Sequence, residues 1–330
     1  MAVIAVAGGT GGVGKTIVDV LTQEAKHEVI VLTRKAMSLY AFIYRNPSNG
    51  PQIQENSPIL SRAKQVEVNY KDVSALTQTL NEHKVHTIIS AISLYSEDDS
   101  EAQLNLIRAA EDAPETKRFM PSEYSFIQTE DLLPLDPSIK YFLDAANLLK
   151  SSRLHYTRVI PGFFMDYWGM PHTKTNLSPM TIAVDMGSCE AAIPGDGDDG
   201  IAMTYSYDMA RFIARLLETD AEGWGEFSGV VGDRVTYNRL VGIGEKIRGR
   251  KFKVVYDSAD KVKQGAVTVP RQPVGNGYSQ EDMVEATALM DRLVIGKVFE
   301  FPAAIQSKEG EVLDLVKVEQ FVREAWDGRA

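Results

Sequence analysis

The chain has 330 residues, 44% of them hydrophobic, a formal net charge of −10 and a single cysteine, Cys189. That size suits one large α/β domain or two modest ones, and the acidic balance argues against a general affinity for nucleic acid or anionic membrane. A lone cysteine excludes an internal disulfide, which fits a reducing, cytoplasmic setting, and no apolar run is long enough for a signal peptide or a membrane span.

In chain order, Ala2–Ala7 reads as a first strand, followed by a helix whose Ile17, Val20 and Leu21 share one face. Further strands are expected at Glu28–Leu32, Gln65–Val68, Thr87–Ile92, Arg118–Met120 and Thr157–Ile160, with helical stretches at Val73–Asn81 and Glu101–Glu111 between them. This alternation predicts a Rossmann-type doubly wound parallel sheet over residues 1–160. Met37–Ser61 breaks the rhythm with Asn46-Pro47-Ser48-Asn49-Gly50-Pro51 and reads as a surface excursion. A helix before the sixth strand is expected to open on an Asp136 cap and Pro137, with Ile139, Phe142, Leu143, Ala146 and Leu149 as its apolar stripe. After Pro161-Gly162 the pattern changes. Residues 161–330 read as a smaller α+β domain, mainly substrate-binding and partly interleaved with the first. It has helices at Asp208–Glu218 and Tyr237–Ile247 and a strand at Phe252–Tyr256.

The loop after the first strand, Gly8-Gly9-Thr10-Gly11-Gly12-Val13-Gly14-Lys15-Thr16, fits two phosphate-binding patterns. Gly8, Gly11 and Gly14 give a variant dinucleotide fingerprint, whereas Gly9, Gly14, Lys15 and Thr16 spell a P-loop. Either would place an anion on backbone N–H groups at a helix N-terminus. A P-loop hydrolase also needs a carboxylate at a neighbouring strand tip for Mg²⁺. Here those tips read Ser90-Ala91-Ile92-Ser93 and Met120-Pro121-Ser122. The second strand ends instead in Thr33-Arg34-Lys35. Basic residues at this tip accommodate the 2′-phosphate of NADP(H), so Arg34 and Lys35 favour that cofactor. The expected cofactor residues are therefore Gly8, Thr10, Gly11, Gly12, Val13, Gly14, Arg34 and Lys35, with Ala91, Ile92, Ser93, Pro121 and Ser122 at later tips.

Several segments together resemble the NmrA-like family of atypical short-chain dehydrogenases, which includes isoflavone reductase-like enzymes. They are Gly8 to Gly14, Val31-Leu32-Thr33-Arg34, Arg118-Phe119-Met120-Pro121-Ser122-Glu123-Tyr124, Tyr156-Thr157 through Asp166-Tyr167, Ile193-Pro194-Gly195-Asp196-Gly197 and Val231-Gly232-Asp233. The resemblance runs nearly end to end. It implies an NADPH-binding domain and a smaller substrate domain for a hydrophobic, often aromatic, secondary-metabolite-like molecule. It also implies a reductase as the first expectation, with a non-catalytic NADP(H)-sensing regulator and a non-redox isomerase or cyclase as alternatives.

The usual Tyr-x-x-x-Lys pair is absent, since no tyrosine has a lysine four residues on. Reductases of the resembled family place a lysine on the helix before the Tyr-Thr strand. Counting back without gaps puts Phe142 there, and the nearest lysine is Lys140. Lys140 lies about 200° around the helix from that position, and its bland role is a surface pair with Asp144. Tyr124 and Ser122 are the other catalytic candidates, for proton donation and for hydrogen bonding a carbonyl. Glu123 reads as structural. Phe163, Phe164, Tyr167 and Trp168, with His172 beyond them, are candidate substrate-pocket residues or packed aromatics. The five histidines show no metal-ligand spacing, so no metal is expected. A small-molecule substrate is the expected partner, with neither nucleic acid nor membrane. The oligomeric state is not readable from the chain.

Overall fold

The computed structural model describes residues 1–34, 63–274, 278–300 and 314–329. The expected excursion at Met37–Ser61, and Lys35, lie outside the described residues. The chain divides into two compact units. The first comprises Met1–Glu123, Ser138–Arg158 and Ile213–Glu226, and the second Tyr124–Pro137, Val159–Phe212 and Phe227–Ala330.

The first unit is built on six parallel strands: β1 (Val3–Ala7), β2 (Glu28–Thr33), β3 (Lys64–Glu67), β4 (Val85–Ser90), β5 (Arg118–Met120) and β6 (His155–Tyr156). Their order in the sheet is β3-β2-β1-β4-β5-β6, so the chain reverses direction across the sheet between β1 and β4. This is the arrangement of a Rossmann-type fold, whose ligands sit beyond the carboxyl ends of the strands at that switch point. β1 and β2 are buried along nearly their whole length, as strands covered on both faces require. Ile30, Leu32, Ile88, Leu106, Phe119 and Leu149 belong to one core cluster in this unit.

The helices of this unit have identifiable ends. α1 (Gly12–Glu24) follows Gly11 and stops at Ala25, which takes a left-handed conformation and donates its N–H to Leu21. α2 (Val73–Glu82) is capped by Asp72, whose side chain accepts from the Ala75 N–H at 3.0 Å. α3 (Glu97–Asp112) starts four residues earlier than the apolar periodicity indicated. Its first turn is held by the Ser96 cap and by acidic side chains favoured at a helix N-terminus. Polar residues carry that turn, so hydrophobic spacing does not reveal it. At the other end of α3, the Arg153 guanidinium donates to the carbonyls of Ala110, Glu111, Ala113 and Thr116.

Two expectations are corrected. The helix before β6, α4 (Ile139–Lys150), begins at Ile139, with Ser138 in the cap position and no side-chain cap bond. The Asp136 N–H donates to Leu132 at 3.0 Å, which ties Asp136 to the preceding turn. The run Thr157–Ile160 is also not the sixth strand of the sheet. That place belongs to His155–Tyr156, while Arg158–Ile160 (β7) pairs with Phe227–Gly229 (β12). Arg158 donates its N–H to Glu226 at 2.8 Å, so the ladder changes partner within three residues. An apolar run identifies a strand but not its neighbour.

The second unit contains small sheets. Phe163–Phe164 (β8) pairs with Ile201–Thr204 (β11), which also pairs with Asp233–Val235 (β13). Glu190–Pro194 (β10) lies between Val184–Asp185 (β9) and Lys253–Asp257 (β14). Buried Asp166 accepts from the Ser206 N–H at 2.9 Å, the Ser206 hydroxyl at 2.6 Å and the Thr175 hydroxyl at 2.7 Å. It thereby anchors the start of the helix Ser206–Glu218. No helix among the described residues is long and apolar enough to cross a membrane.

Candidate dinucleotide site and the flanking polar groups

β1 ends at Ala7, and Gly8 turns the chain with φ +73°. The Gly8 carbonyl accepts from the Gly11 N–H at 3.0 Å, which closes a tight loop directly before α1. Across the switch point, the Ala91 N–H donates to Ala7 at 2.8 Å and holds the tips of β1 and β4 together. A Cβ on Gly8 would lie 2.4 Å from the Ala91 carbonyl oxygen, and one on Gly14 would lie 2.3 Å from the Gly8 carbonyl oxygen. Only hydrogen fits at either place. Gly11 differs, because its Cβ would make ordinary contact with the Gly8 carbonyl at 3.5 Å.

This loop forms one wall of an open cleft of about 220 Å³. The cleft brings together Gly8, Thr10, Gly11, Arg34, Ala91, Ile92 and Ser93. Leu32, Thr33, Tyr70, Asp99 and Ala102 also line it, and none of them was among the expected cofactor residues. Gly12, Val13 and Gly14 form the first turn of α1 and do not line the cleft. Pro121 and Ser122 follow β5 and also lie outside its lining.

Arg34 stands at the tip of β2, largely exposed, with Nη1 3.9 Å from Oδ1 of Asp99. Tyr70 is buried and donates its hydroxyl to the Leu32 carbonyl at 3.1 Å. Burial pushes that phenol above its ordinary value, and the Arg34 charge offsets part of the rise. No group of three or more His, Cys, Asp or Glu side chains able to hold a metal ion occurs among the described residues.

Beyond β5, the buried Ser122 donates its N–H to Oε1 of Gln103 at 2.9 Å. Glu123 is buried against Arg158, with Nε and Oε1 2.6 Å apart. Burial pushes the Glu123 carboxyl up to about 7 against the pull of Arg158. Tyr124 has φ +46°, a rare conformation for a bulky residue, and donates its N–H to Val159 at 3.3 Å.

Lys140 lies at the start of α4 with Nζ 2.6 Å from Oε1 of Glu97. The hydrogen bond and charge of Glu97 raise the ammonium pKa, and Asp144 adds a weaker attraction. Its hydrogen-bond partner is thus on the neighbouring helix, not one turn along its own. Phe142 is partly buried against the core of the first unit.

The aromatic candidates belong to the second unit. Phe163 stacks on Trp168 with centroids 5.0 Å apart and lies 5.7 Å from Tyr167. Phe163, Phe164 and Trp168 are buried, Tyr167 is half-buried, and exposed His172 meets the Trp326 ring edge-on at 4.7 Å. The Trp168 indole N–H donates to Ile182 at 3.1 Å.

The chain is similar to the oxidoreductase swnN of Metarhizium robertsii, at 28% identity over 99% of this chain and 98% of that one. It is 35% identical to the oxidoreductase BOA1 of Botryotinia fuckeliana over 76% of this chain and 77% of the relative. Its fold matches the structure of AtPrR2 with NADP+ and (+)pinoresinol, with a TM-score of 0.67, 20% identity and 98% of each chain covered. The sequence model of the NmrA-like family matches residues 1–295, and the chain belongs to that family.

Proposed function

We propose that the protein is an NADPH-dependent oxidoreductase acting on a hydrophobic, aromatic or secondary-metabolite-like small molecule. The observation that carries this reading is the cleft at the β1/β4 switch point. There, Gly8 admits only hydrogen, Gly14 packs as closely behind it against the Gly8 carbonyl, and Arg34 stands at the β2 tip. A cradle that excludes Cβ atoms lets backbone N–H groups approach a pyrophosphate, and a guanidinium suits a 2′-phosphate. The oxidoreductase names of the fungal relatives, and the NADP+ and pinoresinol bound to AtPrR2, support the same reading.

In this reading Gly8 to Gly14 hold the pyrophosphate, Arg34 and Lys35 hold the 2′-phosphate, and Ala91 to Ser93 with Pro121 and Ser122 flank the rest of the cofactor. When bound, the dihydronicotinamide supplies a hydride. Tyr124 supplies the proton to the reduced substrate. Its positive φ supports that role, because backbone strain concentrates at functional positions. Ser122 orients the substrate oxygen, and Phe163, Phe164, Tyr167, Trp168 and His172 supply apolar contacts to the substrate.

The test is to incubate the protein with NADPH, and separately with NADH, across a panel of lignans, benzylic ethers and aromatic ketones. Loss of the dihydronicotinamide absorbance with NADPH and at least one such compound is expected. A second reading, an NADP(H)-binding regulator without turnover, is favoured by Phe142, partly buried against the core, standing where family reductases carry lysine. Tight NADPH binding with no oxidation across the panel would select it.

A further inference from the structure

The Arg34 guanidinium, the cation among the described residues lining the cleft, already has a carboxylate opposite it. Asp99 faces it at 3.9 Å and is the acidic residue among the described residues of the same lining. The two side chains are not equally free. Arg34 is 79% exposed, whereas Asp99 is 21% exposed and pinned at the N-terminus of α3. The Ser96 hydroxyl donates to Oδ2 of Asp99 at 2.7 Å, and the Asp99 N–H lies 3.2 Å from the same hydroxyl oxygen. Oδ2 is thereby held by the cap, and Oδ1 is the oxygen that meets Arg34.

We infer that Asp99 is a selectivity-determining residue for the cofactor, opposing the 2′-phosphate that Arg34 attracts. A phosphate monoester carries close to two negative charges at neutral pH. To reach Arg34 it must enter the field of a fixed carboxylate and take that carboxylate's counter-ion. A ribose hydroxyl pays neither penalty, since a carboxylate accepts hydrogen bonds from hydroxyls. Arg34 therefore favours 2′-phosphorylated dinucleotides and Asp99 disfavours them, so Asp99 lowers the preference for NADPH over NADH that Arg34 raises. This inference rests on the NADP(H) site proposed above.

The test measures Kd by calorimetry for NADPH, NADH, adenosine 2′,5′-bisphosphate and adenosine 5′-phosphate, on the native chain and on Asp99→Asn. Asparagine keeps an oxygen for the Ser96 hydroxyl, and a thermal melt checks that the fold survives. Asp99→Asn should tighten the two 2′-phosphorylated ligands about fivefold at low ionic strength and by less in high salt. The other two ligands should not gain. Unchanged or weaker binding of NADPH by Asp99→Asn, or an equal gain for all four ligands, overturns the inference. If the native chain binds neither 2′-phosphorylated ligand, the site reading fails instead.

Discussion

Nε of Arg158 donates to Oε1 of Glu123 at 2.6 Å, and both side chains are almost entirely removed from water. The pair ties the segment after β5 to the residue where the chain leaves the parallel sheet. Breaking one partner of a buried ion pair leaves an uncompensated charge, which costs about 3–5 kcal/mol. Arg158→Met and Glu123→Gln should each lose stability on that scale in urea denaturation. Glu123→Leu combined with Arg158→Met should lose clearly less than the two single losses added. Glu226, half-exposed at 3.4 Å from Arg158, is a weaker partner, and Glu226→Gln should cost below about 1 kcal/mol. Additive losses in the double variant would show that the pair does not act as a unit.

Stability should fall as pH rises from about 4 towards neutrality. Burial, with the Asp257 charge, lifts the Asp291 carboxyl from 3.8 to about 7. A carboxyl that binds its proton more tightly when folded contributes stability that is fully present below its unfolded pKa. That contribution is lost as pH rises through the folded value. Asp291 changes stability by up to about 1.4 kcal/mol per pH unit inside that window. Melting temperatures should therefore decline between about pH 4 and about pH 7, and Asp291→Asn should flatten the decline. An identical slope in the variant would remove Asp291 from the account.

The three spaced glycines should separate stability from binding. Gly8→Ala sets a Cβ against the Ala91 backbone at a positive φ, and Gly14→Ala sets one against the Gly8 carbonyl. Each should cost about 3 kcal/mol in denaturation and abolish NADPH binding. Gly11→Ala meets only an ordinary contact. It should keep the fold and weaken NADPH about tenfold, which is about 1.4 kcal/mol of binding. Equal stability losses at all three positions would contradict the geometry.

Arg34→Ala should weaken NADPH by about tenfold or more, the scale of one charge-assisted hydrogen bond, while leaving NADH unchanged. Fluorescence titration of both cofactors checks this. Equal losses for the two would mean that Arg34 supports the cleft and does not read the 2′-phosphate.

Tyr124→Phe should lower kcat about a hundredfold, as loss of a general acid does, with NADPH affinity retained. Lys140→Ala, which removes the exposed bridge to Glu97 and the cation–π contact with Tyr141, should leave NADPH affinity unchanged. If Lys140→Ala abolishes turnover and Tyr124→Phe does not, the proton travels through Lys140.

Much of the first unit was legible from short-range pattern. Continuous apolar runs marked β1, β2 and β4, and the Gly8, Gly11 and Gly14 spacing marked the turn into α1. Steric rules at those glycines act within a few residues, so they survive translation from sequence to structure. Arg34 was readable because a strand tip next to such a loop has a fixed address in this topology.

What the sequence determined by itself was the parallel α/β architecture, the glycine loop and the basic residue at the β2 tip, because periodicity and backbone sterics are local. Only the tertiary structure decided that Arg158–Ile160 leaves the sheet for Phe227–Gly229, that Lys140 pairs with Glu97, and that Asp99 stands opposite Arg34. Those relationships join residues tens of positions apart. They follow from how helices and strands pack against one another, and a side chain's partner across such a gap leaves no periodic trace in the chain.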